Sequence, residues 1–323
     1  MISRLNKFQG CFIGLAVGDA LGAPIQFMER DTYFHVMGYT KGGVFYSQKG
    51  EYTDDTAMAL CLAESLINSK GFDAKDQLNT YVRWLKNGYM STRNEAYDIG
   101  ITICSSIVYY METAKTTTHI NQEKYSGNGS LMRLAPVILF NADNIENAVL
   151  YAGQSSLTTH ASPIAVDACR YLAYFLTLIL DGASKHELFS DEATQQMNKF
   201  FKNEPLHPEV IKIANGSYVG KKRHEIKSSG YVVHTLEAAL WAFYYGETFK
   251  DTMLSAVNLG DDADTVGAVT GQIAGAYYGL NKIDTIFLEK LFNKKLILEM
   301  SEKLYYKGKV KCHIHALQNK VIY

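Results

Sequence analysis

The chain has 323 residues, of which 47% are hydrophobic and 20% are charged, and its formal net charge is −1. These values predict a globular protein with a large core, and they exclude the basic excess that would draw a chain onto nucleic acid or an anionic membrane. The five cysteines are scattered and include no C-x-x-C pair, so neither a disulfide framework nor a zinc site is indicated.

The N-terminal segment has no apolar signal-peptide core, and we therefore expect a cytoplasmic protein with reduced thiols. The most apolar run, residues 171–180, is much shorter than the roughly 20 residues that cross a bilayer. It is expected to form a buried helix, and no membrane association is predicted.

Helical periodicity dominates the chain. The predicted helices cover residues 7–21, 55–69, 75–87, 96–113, 129–139, 145–157, 163–181, 186–201, 208–218, 232–245, 249–259, 265–278 and 285–300. Residues 39–47 indicate a short hairpin around Gly42-Gly43, and residues 309–323 are ambiguous. Because no Ser- or Pro-rich linker divides the chain, we predict an all-α fold, with a single compact multi-helix domain over residues 1–323.

Two of these helices carry glycine at every fourth position. The glycines are Gly10, Gly14, Gly18 and Gly22 in the first helix, and Gly267, Gly271, Gly275 and Gly279 in the second. A helix-interior glycine costs about 1 kcal/mol relative to alanine, and residues four apart form one ridge. We therefore predict that the two glycine ridges pack on each other or on a shared neighbour. A membrane dimer motif is the alternative, but Asp19 and the short apolar length argue against it.

An acidic cluster opens each of two predicted helices, at residues 52–56 (Tyr-Thr-Asp-Asp-Thr) and 260–265 (Gly-Asp-Asp-Ala-Asp-Thr). Asp and Thr are good N-caps, so paired caps are one interpretation. Several carboxylates packed together repel each other unless cations neutralise them, and oxygen-only ligands indicate Mg²⁺ or Mn²⁺. We predict a binuclear metal site between the two clusters, in a central cleft.

Seven motifs follow one another in a specific order. They are residues 14–24 (GLAVGDALGAP), 52–56 (YTDDT), 97–100 (YDIG), 127–133 (GNGSLMR), 159–160 (TH), 230–233 (GYVV) and 260–265 (GDDADT). Their order and spacing resemble the ADP-ribosylglycohydrolase family, which includes the dinitrogenase reductase-activating glycohydrolases. The resemblance covers residues 8–280. It implies an all-α fold, two magnesium or manganese ions, and the removal of ADP-ribose from protein side chains or from related adducts.

The resemblance also implies a set of metal ligands. These are Thr53, Asp54, Asp55, Asp262, Asp264 and Thr265. Asp54 or Asp55 would steer the attacking water, and Asp98 would face the substrate ribose and assist ring opening or proton transfer. Without the resemblance, Asp98 would be interpreted as a capping or surface residue of its helix. Asp261 stands where relatives often have glycine, so it is left out of the ligand set.

The substrate-binding positions implied by the resemblance are Gln26, Gly127, Asn128, Gly129, Ser130, Arg133, His160 and Tyr231. Backbone N–H groups of residues 127–130 would cradle a diphosphate before a helix, or this segment is a glycine-rich turn with a left-handed Asn. Arg133, in the first turn of that helix, would pair with phosphate or tie acidic neighbours. His160 would contact ribose and Tyr231 would stack on adenine, with a structural histidine and a packing tyrosine as the alternatives.

Gln26 departs from the family pattern, because relatives often have Glu at this position. An amide can coordinate a metal or form hydrogen bonds, but it cannot act as a base. Glu29 lies nearby in the sequence as a candidate replacement.

We predict a Mg²⁺- or Mn²⁺-dependent hydrolase that acts on an ADP-ribosylated protein substrate, with arginine as the linked residue and ADP-ribose as the product. Other linkages stay open, namely serine-linked, nucleic-acid-linked and O-acetyl-ADP-ribose. A non-catalytic ADP-ribose-binding module is a different class of function. A serine hydrolase is a third class of function, since the chain contains Ser130 and His160, but it has no G-x-S-x-G strand-turn-helix motif.

Overall fold

The computed structural model describes residues 2–320, and Met1 and residues 321–323 lie outside the described part. The described residues form helices and loops without a β-strand, and they constitute a single helical domain. The α-helices are α1 (Arg4–Gly22), α2 (Asp54–Ser69), α3 (Ala74–Asn87), α4 (Ile101–Thr113), α5 (Ala135–Phe140), α6 (Ile145–Leu157), α7 (Pro163–Asp181), α8 (Lys185–Leu188), α9 (Asp191–Phe200), α10 (Pro208–Ala214), α11 (Val232–Tyr245), α12 (Phe249–Val257), α13 (Ala263–Tyr278), α14 (Thr285–Lys290) and α15 (Lys294–Lys320).

Helices α1 and α13 form the most extensive helix pair of the fold. Their glycine ridges face each other, so that a Cβ atom added at Gly14 would collide with the carbonyl group of Gly271. The same relation holds between Gly18 and Gly267. Of the two predicted alternatives, direct contact between the ridges is therefore the correct one. It brings the C-terminal end of α1 next to the N-terminal end of α13.

The remaining helices surround this central pair. Helices α11 and α12 pack against α13, α15 packs against α1 and α2, and α5 lies between α2 and α15. Helices α6 and α7 pack against each other, and α7 also contacts α1 and α13. The core is therefore continuous from one side of the α1–α13 crossing to the other.

Three predicted helices have the observed bounds, at Ile145–Leu157, Pro163–Asp181 and Val232–Tyr245. Two of these segments have a clear end signal: Asn144 accepts a hydrogen bond from a backbone N–H at the start of α6, and Gly182 ends α7 with a φ of 109°. Where a helix ends at a strong capping residue, the position of that end can be predicted from the sequence.

Several other helix bounds were wrong. The helix predicted at 129–139 begins only at Ala135, because Pro136 belongs in a first turn and residues 128–134 form hydrogen-bonded turns. The helix predicted at 96–113 begins at Ile101, since Asp98 has a left-handed φ of 58° and Gly100 is extended. The helix predicted at 186–201 divides at Ser190, whose side chain caps α9.

The predicted hairpin at residues 39–47 is wrong as a strand pair. A single bridge joins Gly42 and Ser47, which exchange backbone hydrogen bonds of 3.0 and 2.8 Å. The intervening turn contains Gly43 and Tyr46 with positive φ values of 74° and 54°. The ambiguous segment at the C-terminus continues α15 as far as Lys320.

Two helical segments, Arg4–Ile25 and Pro163–Asp181, are long and apolar enough to cross a membrane by length and composition. In an apolar 18-residue stretch of each segment, 94% and 78% of the stretch respectively is buried inside the fold. Core helices of soluble proteins pass the same test, and the prediction that residues 171–180 form a buried helix is confirmed.

Candidate active site

The first acidic cluster lies at the N-terminal end of α2. Thr53 is the extended N-cap residue, and Asp54 and Asp55 occupy the first helical turn. The positive end of the helix dipole favours carboxylates at this position. All three side chains are nevertheless buried, which an ordinary exposed helix cap would not require.

Asp19 of α1 holds this end of α2 in place. Its Oδ1 accepts hydrogen bonds from the backbone N–H and hydroxyl of Thr53, at 2.8 and 2.9 Å. Its Oδ2 accepts from the backbone N–H and hydroxyl of Thr56, at 3.0 and 2.6 Å. Burial raises the pKa of Asp19 to about 7, although these four hydrogen bonds oppose the shift.

The sequence interpretation assigned no role to Asp19 beyond its place in a motif. The sequence feature that could have identified Asp19 is its position as a charged residue inside an otherwise apolar, glycine-rich helix. A fully buried carboxylate needs partners. The donors that satisfy it are 34 to 37 residues away in sequence.

The second acidic cluster lies at the start of α13, where Asp262 is the residue before the helix and Asp264 and Thr265 are in its first turn. A Cβ atom at Gly22 would collide with the backbone of Ala263 and Asp264. Because α1 and α13 cross so closely, the second acidic cluster lies next to Asp19 and the start of α2. The hydroxyl of Thr265 reaches Asp55 Oδ1 at 3.3 Å and joins the two clusters.

Asp98 comes from the loop before α4, in the left-handed conformation that Asp accepts more readily than most residues. The amide of Gln26 donates to Asp98 Oδ1 at 3.2 Å. Burial raises the pKa of Asp98 to about 6, and the hydrogen bond from Gln26 opposes the shift. The interpretation of Asp98 as a helix cap or helix-surface residue is therefore wrong.

The site is an unneutralised group of acids. Burial, followed by the neighbouring carboxylates, raises the pKa of Asp54, Asp55 and Asp264 well above the usual range. None of the ion pairs among the described residues brings Lys or Arg to these carboxylates. One oxygen each of Asp55, Asp98 and Asp264 is buried without a hydrogen-bond partner.

This donor chemistry fits hard divalent cations. Orphaned carboxylate oxygens with two nearby threonine hydroxyls are the oxygen ligands that Mg²⁺ and Mn²⁺ prefer. Within the described residues, no three Asp, Glu, His or Cys side chains are arranged to hold an ion as they stand. The carboxylates would therefore have to turn towards a common ion, and the ligand assignment stays a prediction.

A cleft of about 480 Å³ opens above the carboxylates. Its lining includes Asp54, Asp98, Asp262 and Thr265 on the acidic side. The other walls are formed by Gln26, Phe27, Phe45, Ile99, Gly100, Ile101, Thr102, Ile103, Gly127, Asn128, Gly129, Met132 and His160. Nine residues of the predicted site thus line one cavity: Gln26, Asp54, Asp98, Gly127, Asn128, Gly129, His160, Asp262 and Thr265.

Asn128 links the glycine-rich loop to the second acidic cluster. Its side-chain amide donates to Asp262 Oδ2 at 2.5 Å and to the Thr235 hydroxyl at 2.9 Å. Its φ is not positive, so the interpretation as a left-handed turn residue is wrong. The backbone N–H groups of Gly127 and Asn128 are already bonded to Tyr125 and Gly230. No hydrogen bond within residues 2–320 uses the N–H groups of Gly129 and Ser130.

His160 is buried against this loop. A Cβ atom at Gly129 would lie 2.8 Å from its Cε1, and one at Gly127 would lie 3.4 Å from its Nε2. Two glycines at these positions therefore leave room for the imidazole at the cleft wall. Burial, with a smaller contribution from Arg133, lowers the pKa of His160 to about 3, so the ring is neutral.

Arg133 and Ser130 do not line the cleft. Arg133 is fully buried, donates to the carbonyl of Gly129 at 2.9 Å and the hydroxyl of Thr159 at 2.7 Å, and lies over the ring of Tyr81. It contacts neither the cleft nor a carboxylate, which corrects both interpretations of this residue. The Ser130 hydroxyl faces away, towards Ser156.

Tyr231 is also absent from the cleft lining. It is the N-cap residue of α11, its backbone forms a bridge with Gly127, and its ring meets His234 edge to face. In this arrangement it positions the glycine-rich loop, and the predicted stacking on adenine has no support in the cleft geometry. Glu29 is exposed and does not line the cleft, so it does not replace the missing family Glu.

Comparisons with known proteins agree with the motif order. A family model described as ADP-ribosylglycohydrolase matches residues 1–313. The chain is 38% identical over 302 residues to the ADP-ribosylarginine hydrolase Tri1 of Serratia proteamaculans (strain 568), covering 94% of this chain and 80% of that protein. It is 32% identical over 290 residues to the ADP-ribosyl-[dinitrogen reductase] glycohydrolase of Rhodospirillum rubrum, covering 88% and 90%.

The fold comparison gives the same result. A solved structure of an ADP-ribosylglycohydrolase-related protein complex matches with a TM-score of 0.81 and 37% identity, covering 94% of this chain and 99% of that chain. The resemblance that the seven motifs predicted is confirmed.

Proposed function

Because this chain belongs to the ADP-ribosylglycohydrolase family, we propose that it hydrolyses the bond between ADP-ribose and an arginine side chain of a modified protein, with two divalent cations in its acidic cleft. The family members named above are glycosidic-bond hydrolases, and this chain is one as well. The arginine linkage rests on similarity to ADP-ribosylarginine hydrolases, at 38% identity for the Serratia proteamaculans protein and 36% for the one from Pseudomonas putida (strain GB-1).

The observation that carries the proposal is the group of buried, unneutralised carboxylates at the floor of the cleft. We assign Thr53, Asp54, Asp55, Asp262, Asp264 and Thr265 as the residues that would hold the cations. When bound, such cations supply Lewis-acid polarisation of substrate oxygens and lower the pKa of the attacking water. Their positive charge would also offset the mutual repulsion of the carboxylates.

The chain's own residues then act on the anomeric carbon. Water attacks this carbon, the bond to the guanidinium nitrogen breaks, and the leaving guanidine takes up a proton. Positive charge that develops on the sugar is stabilised by the adjacent carboxylates of Asp54 and Asp98. Asp98 is held through Oδ1 by Gln26, and its other oxygen is free to accept or return a proton.

The opposite wall of the cleft suits the rest of ADP-ribose. The backbone N–H of Gly129, which has no hydrogen-bond partner among the described residues and lies in the cleft lining, can donate to a diphosphate oxygen. At the cleft mouth, Phe27 and Ile101 are 60% and 86% exposed. Exposed apolar side chains around a cleft favour a macromolecular substrate, which supports a modified protein.

The test is the release of ADP-ribose from an arginine-ADP-ribosylated protein, followed by mass spectrometry in Mg²⁺ and in EDTA. We expect release only with the metal. Asp54→Asn should lower turnover at least about 100-fold, as expected when a catalytic carboxylate is lost. Asp191→Asn, the same change at an exposed position in the first turn of α9, should leave it unchanged.

Two results would contradict the proposal. Release from serine-linked or O-acetyl substrates, but not from arginine, would move the activity to another linkage. Binding of ADP-ribose by calorimetry without turnover of any of these substrates would make the chain a binding module.

A further inference from the structure

The imidazole of His160 has one protein partner among the described residues. Its Nδ1 lies 2.9 Å from the hydroxyl oxygen of Thr159. Its Nε2 has no protein partner there and borders Gly127 in the cleft lining. The proton on a neutral imidazole can occupy either nitrogen, and the Nδ1 contact decides between them.

The Thr159 hydroxyl is fully buried and has two hydrogen-bonding neighbours. One is Arg133, whose guanidinium is a donor only and reaches Thr159 Oγ1 at 2.7 Å. The hydroxyl oxygen accepts this bond, so its own proton needs an acceptor. The only acceptor that the described residues offer is His160 Nδ1. A protonated Nδ1 would instead leave the buried hydroxyl proton without a partner, which is unfavourable.

We propose that Arg133 and Thr159 form a relay that fixes His160 as the Nε2–H tautomer, which donates a hydrogen bond into the cleft. Resting on the function proposed above, the acceptor is an oxygen of the ADP-ribose unit. Arg133 and Thr159 are positioning residues, and His160 touches the ligand. Arg133 also donates a hydrogen bond to the carbonyl of Gly129. The same guanidinium therefore positions both the glycine-rich loop and the imidazole of His160 that packs on this loop.

The surroundings of the ring agree with this role. Burial and the nearby guanidinium disfavour a second proton, so the ring cannot switch to a cation that would donate from both nitrogens. Arg133 itself is kept in place by the Tyr81 ring and by two threonine hydroxyls. Burying a guanidinium without a carboxylate partner is costly, and these contacts with neutral groups offset part of that cost.

The relay is tested first without any ligand. Long-range ¹H–¹⁵N correlation of the histidine ring should show His160 with a protonated Nε2 and a hydrogen-bonded Nδ1. Thr159→Val removes the hydroxyl at nearly constant shape, and we expect the Nδ1 signal to lose its hydrogen-bond shift and the Nδ1–H tautomer to appear. Thr159→Ser should restore the wild-type pattern. Thr177→Val removes another buried hydroxyl, on α7, and serves as the control.

The second readout is the affinity for ADP-ribose by calorimetry. We expect Thr159→Val to weaken binding roughly fivefold, the effect of one neutral hydrogen bond, and Thr159→Ser and Thr177→Val to leave it unchanged. A protonated Nδ1 in the wild type, or a Thr159→Val protein whose ring signals match Thr177→Val, would overturn the relay. Failure of the wild type to bind ADP-ribose would contradict the proposed function, while the ring signals would still decide the tautomer.

Discussion

Gly14 of α1 and Gly271 of α13 lie backbone to backbone, so that a Cβ atom on either residue would collide with the carbonyl group of the other. This contact sets the distance between the two central helices. It also sets the distance between the two acidic clusters, because the cluster of α13 begins where the same ridge ends at Gly22 and Ala263.

We expect Gly271→Ala to destabilise the protein. Helix propensity alone would favour alanine by about 1 kcal/mol. Here the added methyl group meets backbone that cannot rotate away, and overpacking of this kind costs about 1–3 kcal/mol or more. Urea unfolding should therefore show a lower free energy of unfolding. Gly38→Ala, at a loop position with open space around it, is the control and should change little. A more stable Gly271→Ala protein would contradict the tight crossing.

Asp19 should be needed for the position of α2. In Asp19→Asn an amide replaces one of the two oxygens, and its N–H groups face the N–H and hydroxyl donors of Thr53 or Thr56. We expect a loss of about 2 kcal/mol or more in the free energy of unfolding, together with weaker Mg²⁺ binding by calorimetry. Asp191→Asn should change stability by less than about 0.5 kcal/mol. Equal stability of the two variants would show that Asp19 does not anchor the helix.

Asp98 should affect turnover more than binding. Asp98→Asn keeps the left-handed backbone and the contact with Gln26 but removes the group that exchanges a proton. We expect turnover to fall about 100- to 1,000-fold while the affinity for ADP-ribose changes by only a few fold. Asp261→Asn is the matched control, since Asp261 is exposed and also left-handed. Full turnover by Asp98→Asn would remove Asp98 from the reaction.

The two glycines under His160 should tolerate a methyl group to different degrees. In Gly129→Ala the Cβ atom meets His160 at 2.8 Å and Ile103 at 2.9 Å, so the imidazole has to move. In Gly127→Ala the nearest atom is at 3.4 Å, which a small shift accommodates. We expect Gly129→Ala to weaken ADP-ribose binding about tenfold, and Gly127→Ala about twofold or less, by calorimetry. The reverse order would place the ring elsewhere.

The metal-free protein should lose stability as the pH rises. The unfolded carboxyl groups release their protons near pH 4, whereas Asp98 keeps its proton to about pH 6 and Asp19 to about pH 7. The pKa values of Asp54, Asp55 and Asp264 are raised as well, so between these limits the folded chain binds more protons than the unfolded chain. The free energy of unfolding therefore decreases from about pH 4 to about pH 7.

Mg²⁺ should reverse this trend, because cations compete with protons for the carboxylates. In thermal unfolding with EDTA or with Mg²⁺, we expect the increase in Tm on adding the metal to be larger at pH 8 than at pH 5. Asp264→Asn should lose most of this increase. An equal increase at both pH values, or one that Asp264→Asn retains, would mean that the metal binds outside the cluster.

Most of the secondary structure of the chain could be predicted from its sequence. Hydrophobic periodicity and capping residues predicted the helices. The glycines at every fourth position predicted a close contact for each of the two central helices, because a residue that weakens a helix and recurs on one face requires a close neighbour there. The two acidic clusters and their place at helix starts were also readable. The boundaries near Asp98, Pro136 and Ser190 were not, since left-handed residues and turn hydrogen bonds depend on what the loop packs against.

The sequence by itself determined the helical fold, the need for a close neighbour along each glycine ridge, and the residue types of the site. Only the tertiary structure decided which side chains face the cleft. Arg133 and Ser130 belong to the same motif as Asn128, and Tyr231 belongs to another of the seven motifs, yet all three side chains lie outside the cleft lining. Neighbours in sequence share a motif but point in different directions from a turn or helix. The partners of a buried polar group, such as Thr53 for Asp19 or Thr159 for Arg133, are fixed only when distant segments pack and water is excluded.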